Sequence, residues 1–255
     1  MQQQIEFSSK KQEKVFERIT KKFALNNSYF KNRLRTQPAT PYEVWQYYKQ
    51  HKELPYKSAS EQNLIYNCFV EYQKRQRVEA DQFFTPPVVA KQLAGLVDSI
   101  ATTNNNLRQE PILDLCCGYG QLTYGMQEYQ IVFLNDIELK FVGVENDPLL
   151  LEMYAEFTGC EAIKADFRDY TTTHDTIIAN PPFSELQDFM EHLYSLLKNK
   201  HSTAFVILPV GYMNKERPKK LYEILLKYRV AAKIKCKEPF ARTATHTEIY
   251  ALEKY

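Results

Sequence analysis

Asn180, Pro181, Pro182 and Phe183 close the stretch "HDTIIANPPF", in which an apolar run stops abruptly at an amide, two rigid rings and an aromatic. The prolines fix φ and remove two N–H donors, so the turn presents carbonyl oxygens, and Asn180 adds a side-chain carbonyl beside them. A site so rich in acceptors suits an NH2 group on a planar base or amide. Two acceptors hold both hydrogens, oppose conjugation of the nitrogen into the ring, and steer its lone pair towards an electrophile. Phe183 is placed to stack on the planar guest. The same four residues also make a plain turn, and their neighbours decide between the two readings.

Those neighbours are three further strand ends. "DLCCGYGQLT" follows one apolar run, and Gly118 and Gly120 in it let a backbone approach a ligand closely. The third glycine of a dinucleotide loop is missing, and no Gly-Lys-Ser/Thr of a phosphate loop follows, so a cofactor without phosphates fits better. "VEND" places Glu145 at the tip of the next run, 25 residues after Gly120, where a ribose diol is held in doubly wound sheets. "KADF" ends the third, with Asp166 suited to accept from an adenine amino group and Phe167 to cover a ring face. Each alone fits a glycine turn, a surface glutamate or a capping aspartate; their order and spacing together favour an adenosine.

To bring these tips together the chain needs a parallel sheet. The apolar runs "PILDL", "FVGVE", "EAIKA", "DTIIAN" and "TAFVILP" alternate with the helical patterns "QLTYGMQEY", "PLLLEMYAEFTG", "SELQDFMEHLYSLLKN" and "RPKKLYEILLKY". Strand and helix in turn predict an α/β fold with a mostly parallel sheet covered on both faces. "VAAKIKC" and "TEIYALEK" have no helix between them and predict an antiparallel pair at one edge, seven strands in all. Residues 1–80 read instead as a small basic helical module, and residues 81–255 as the catalytic domain.

The 255 residues, 44% hydrophobic, suffice for one such domain with an appendage. No apolar run approaches the roughly 20 residues of a membrane helix, and the polar start lacks a signal peptide's apolar stretch, which predicts a cytoplasmic protein. Five cysteines without Cys-x-x-Cys spacing or a nearby His cluster predict no zinc site and no disulfide framework. The net charge of +2 hides a segregation: 15 Lys/Arg against 8 Glu in residues 1–80, 7 against 18 acidic residues in 81–213, and 9 against 3 in 214–240. Two basic ends around an acidic middle fit a polyanion partner, and also fit solvated faces.

With "QFFTPP" (82–87) added, the set "DLCCGYGQLT", "VEND", "ADF" and "NPPF" resembles the motif series of S-adenosylmethionine-dependent amino methyltransferases. Its order is that of the gamma group of N6-adenine DNA methyltransferases. The early "QFFTPP" and the late "PFARTATHTEIYAL" (239–252) are similar to the modification subunits of type I restriction-modification systems. The resemblance implies a Rossmann-like class I methyltransferase fold with S-adenosyl-L-methionine as cofactor. It implies that Thr85 and the backbone at Phe84, within Gln82 to Pro86, hold the methionine part, with Asp114 near its amino group. Cys116, Gly118 and Gly120 would pass beneath it. Glu145, beside Asn146, would bind the ribose, and Asp166 and Phe167 the adenine. Asn180, Pro181, Pro182 and Phe183 would hold the target adenine, flipped out of a duplex at a cost of a few kcal/mol that stacking partly returns.

The implied reaction is direct attack of the amino nitrogen on the sulfonium methyl. A cytosine C5 enzyme needs a cysteine nucleophile, usually after a proline, and none of the five cysteines follows one. Tyr119 departs from the small residue common between the glycines. Enzymes of this group carry a target recognition domain after the catalytic one, whereas this chain ends on its last expected strand. Specificity is then expected from residues 1–80, from 214–240, from a partner chain or second copy, or from substrate shape. RNA adenine, a glutamine amide in a protein, and an inactive cofactor-binding subunit are the alternatives to DNA adenine.

Overall fold

The computed structural model describes residues 83–101, 110–133, 139–213, 218–237 and 246–255. The expected helical module at 1–80 lies outside the described residues. The first helix, α1 (Pro87–Ala101), precedes the sheet and is not among the elements that the alternating pattern predicts. Two prolines start it: Pro86 offers its carbonyl to the N–H groups of Val89 and Ala90, and Pro87 stands in the first turn, where a missing N–H costs nothing.

The remaining elements follow the expected alternation. They are β1 (Ile112–Leu115), α2 (Gln121–Phe133), β2 (Phe141–Glu145), α3 (Pro148–Thr158), β3 (Glu161–Lys164), β4 (Thr176–Ala179), α4 (Leu186–Leu196), β5 (Thr203–Pro209), α5 (Lys219–Leu225), β6 (Tyr228–Lys235) and β7 (Thr247–Lys254). One seven-stranded sheet results, in the order β3-β2-β1-β4-β5-β7-β6. The pairs among β1 to β5 are parallel, while β7 runs antiparallel to both β5 and β6. This is the Rossmann-like, mostly parallel sheet with an antiparallel edge pair, as expected.

Side-chain alternation explains the two cores. Leu113 and Leu115 of β1 point to one face with Val142, Val144, Ile177 and Ala179, against Phe189, Met190 and Leu193 of α4 and Leu221 of α5. Ile112 points to the other with Phe141, Ile178 and Phe205, against Val89, Leu93 and Val97 of α1 and Leu122 of α2. Strands buried on both faces read as continuous apolar runs, which is why "TIIA" and "TAFVIL" are legible as strands. Asp114 falls on the α2 face by the same period of two, and its carboxylate is completely buried there.

The helix ends fix where the strand tips go. At the start of α3, Asp147 accepts from the N–H groups of Leu149 and Leu150, and Gly159 ends the helix in the left-handed region at φ 68°. Both caps hold the chain as it leaves β2 and enters β3. All parallel strands deliver their carboxyl ends to one edge, and the order reverses between β1 and β4, where ligands bind in such sheets. No helix among the described residues is long and apolar enough to cross a membrane.

Candidate active site

At that edge lies a cavity of about 230 Å³, walled by the tips of β1, β2, β3 and β4 and by residues 83–85. The loop after β1 is its floor. Cys116 adopts φ +60°, a left-handed conformation that costs a non-glycine residue roughly 1–2 kcal/mol. Gly118 (φ +54°) and Gly120 (φ +93°) continue the turn. Their surroundings differ: a Cβ on Gly118 would meet nothing within 4 Å, whereas one on Gly120 would sit 2.7 Å from Thr158 Cγ2. Gly118 therefore leaves its backbone open to a ligand, and Gly120 lets the loop close onto α3.

Glu145 braces this floor from the next strand. Its Oε2 accepts from the Gly118 N–H at 3.0 Å, and its Oε1 from the N–H groups of Asn146 and Asp147, each at 3.0 Å. Burial raises its pKa, while these N–H groups oppose the rise. Oε2 keeps one of its two acceptor sites, so the side chain still accepts from a hydroxyl facing the cavity it lines.

At the tip of β3, Asp166 and Phe167 line the cavity, and an arginine holds the aspartate. Arg168 donates from Nε and Nη2 to the two Asp166 oxygens, both at 2.9 Å. That hydrogen bonding keeps the Asp166 carboxyl below its usual range. Arg168 also lies over the Phe167 ring, 4.7 Å from its centroid, and pairs with Glu185. A carboxylate from the tip of β3 and one from the turn after Phe183 thus share one guanidinium.

The tip of β4 is the acceptor-lined turn. Asn180 Nδ2 donates to the Phe83 carbonyl at 2.5 Å and to Thr85 Oγ1 at 3.1 Å. Its Oδ1 is buried with no hydrogen-bond partner among the described residues. Pro182 lines the cavity, and its carbonyl accepts from the Glu185 N–H at 3.2 Å. The Phe183 ring stacks on Phe83, with centroids 5.1 Å apart and planes 25° off parallel.

The structure thus gathers Phe84, Thr85, Cys116 and Gly118 on one wall with Glu145 and Asn146. Asp166, Phe167, Asn180 and Pro182 complete it. Pro86, Gly120, Pro181 and Phe183 stand behind or beside this wall, and Gln82 lies outside the described residues. Asp114 is also behind it: Oδ2 accepts from Thr123 Oγ1 at 2.7 Å and from the Thr123 N–H at 3.3 Å, while Oδ1 has no partner among the described residues. Burial pushes its pKa up to about 8, against the lowering effect of Thr123. Sequence reasoning missed Phe83, Tyr119, Gln121, Arg168 and Glu185 as lining residues. For Arg168 a signal existed, an arginine two residues after a strand-end aspartate; for Glu185 none did.

Burial and the nearby Glu145 hold the Cys116 thiol well above its ordinary pKa, so it is no ready nucleophile. The wall instead combines an open glycine backbone, a braced carboxylate, an aromatic face and an unpartnered amide oxygen. An adenosine whose tail carries no phosphates fits this lining, and the amide oxygen is left for a second guest.

Residues 95–204 match the model of the methyltransferase small domain family. No curated protein matches the chain in sequence. Among solved structures, the chain is similar to a type I restriction-modification system methyltransferase subunit from Streptococcus thermophilus. That likeness has 17% identity and a TM-score of 0.58, over 84% of this chain and 54% of that one. A candidate class I S-adenosylmethionine-dependent methyltransferase from Listeria monocytogenes aligns at 15% identity and TM-score 0.58, over 88% and 78% of the two chains. Magnesium protoporphyrin IX methyltransferase from Synechocystis PCC 6803, with bound S-adenosylmethionine, aligns at 13% and 0.50, over 86% and 100%. The chain has the class I methyltransferase fold, and the family match, taken with the cavity, supports an enzyme that transfers methyl groups from S-adenosylmethionine.

Proposed function

We propose that this protein methylates the exocyclic N6 amino group of adenine in DNA. The observation that carries the reading is Asn180, whose buried Oδ1 lacks a partner among the described residues, beside a Pro-Pro turn that has acceptors only. An unpartnered buried acceptor costs about 1–3 kcal/mol, and an amino group in the adjoining cavity relieves that cost. The amide oxygen of Asn180 accepts one amino hydrogen and keeps the nitrogen lone pair from conjugating into the ring.

S-adenosylmethionine, when bound, supplies an electrophilic methyl group. In this chain Glu145 Oε2 takes a ribose hydroxyl, the Phe167 face its adenine, and the Gly118 backbone the thioether region. Positioning in this way is worth several orders of magnitude without any covalent enzyme intermediate. DNA as the substrate is supported by the motif order, by "QFFTPP" ahead of the first strand, and by the fold shared with a type I restriction-modification subunit. The Lys/Arg surplus of residues 1–80 and 214–240 is assigned to the phosphate backbone, with base recognition supplied there or by a partner chain.

The test incubates the purified chain with tritiated S-adenosylmethionine and, separately, duplex DNA, single-stranded DNA, RNA and cell-extract protein. Label is expected in DNA, and Asn180→Ala is expected to lower it about 100-fold or more, the scale of losing one transition-state hydrogen-bond partner. Label confined to protein or RNA would replace the proposed substrate. Label indifferent to Asn180→Ala would remove the proposed jaw.

A further inference from the structure

Both hydrogens of the Asn180 side-chain amide are committed to one short segment far away in sequence. Phe83, 97 positions earlier, takes one through its backbone carbonyl, and Thr85 takes the other through its hydroxyl. A backbone carbonyl only accepts, so the nitrogen of the amide has to face Phe83, and Oδ1 has to face away. The hydroxyl reinforces this choice from a second direction, from a residue that is buried, 4% exposed. The same segment reaches the far end of the turn, where the Phe83 ring stacks on Phe183.

We infer that Thr85, together with the Phe83 carbonyl, is a positioning residue for Asn180, holding the amide so that Oδ1 is the atom presented to the target amino group. The role of that oxygen rests on the functional reading above; the orientation of the amide does not. Thr85, which the resemblance places at the methionine part of the cofactor, then acts through Asn180 instead. A free amide rotates about χ2 and offers N–H and C=O in turn, and an N–H facing an amino group repels it. Two anchors remove that second state. With the hydroxyl gone, only the Phe83 carbonyl remains, and Oδ1 is no longer held along one line.

Thr85→Val keeps the shape and removes the hydroxyl, and Thr85→Ser restores it. Two readouts separate the possibilities. In the full-length protein without cofactor, the Asn180 NH2 pair in a 15N-edited NMR spectrum, assigned by its disappearance in Asn180→Ala, reports the brace directly. In wild type and Thr85→Ser it is expected to exchange slowly with solvent, and in Thr85→Val at least tenfold faster. In the methyl-transfer assay, Thr85→Val is expected to lower kcat about tenfold, with serine restoring it and the Kd for S-adenosylmethionine within threefold of wild type. The inference is overturned if Thr85→Val leaves the Asn180 NH2 exchange unchanged. It is equally overturned if the cofactor Kd rises as much as kcat falls, since Thr85 then serves the cofactor. Should wild type label no acceptor at all, the functional reading fails while the NH2 signals still decide the brace.

Discussion

Asp114, completely buried, and Asn180, half-buried, each leave one buried oxygen without a partner among the described residues, and they behave differently because only one of them titrates. The Asp114 carboxyl releases its proton near 3.8 in the unfolded chain and at about 8 in the folded one, because burial disfavours the charge. Between those values the folded state holds the extra proton, so raising the pH through this window removes stability. Asp114→Asn has no proton to lose there. Its melting temperature relative to wild type is therefore expected to climb from pH 5 to pH 8, and a difference that stays constant would contradict the burial argument. Asp114 is thus a structural pin, tied by Thr123 to Tyr154, whose hydroxyl lies 3.1 Å from Thr123 Oγ1. Asn180 is uncharged and lines the cavity, with its unpartnered oxygen buried beside it. At this scale the sequence singles out Asn180, Glu145, Gly118 and Phe167, which line the cavity, because each sits at or just beyond the tip of a parallel strand. It could not separate Asp114 from them: a strand aspartate beside a glycine loop reads alike whether it faces the cavity or the helix behind.

Among the elements, β2 and α3 depend on each other through a glycine that the strand pattern does not single out. A Cβ on Gly143 would lie 2.4 Å from Tyr154 Cζ and 2.5 Å from Cε1, so the Tyr154 ring packs flat against bare backbone in the middle of β2. Gly143→Ala is expected to lower stability by about 1–3 kcal/mol through overpacking, read as a lower urea midpoint with an unchanged slope. A midpoint equal to that of wild type would show that the ring yields freely. The strands were legible because each is a short apolar run bounded by turn residues, and β2, β5 and β7 match their expected bounds. β6 begins two residues before its expected start, at Tyr228, because pairing with the end of β7 extends an edge strand beyond its apolar part. Helix α1 escaped the alternating pattern because it precedes the first strand, although its apolar spacing at Val89, Leu93 and Val97 is helical.

For the molecule as a whole, the division of labour follows strand order. Tips β1, β2 and β3 make the wall suited to an adenosine, β4 carries the acceptor turn, and Arg168 joins the two halves by pairing with Asp166 and Glu185. That joint was invisible in sequence because it links residues 17 positions apart across two loops, where no periodicity operates. Of the basic ends assigned to a polyanion, residues 1–80 fall outside the described residues, and the acceptor turn carries the choice of an amino group as the target. Identification of the modified nucleoside tests that argument most directly. Duplex DNA treated with the protein and S-adenosylmethionine is digested to nucleosides and resolved by mass spectrometry. The expected product is N6-methyl-2′-deoxyadenosine, absent when Asn180→Ala replaces the wild type. A methyl group on cytosine C5, on a ring nitrogen, or on no nucleoside at all would contradict an acceptor jaw built for the adenine amino group.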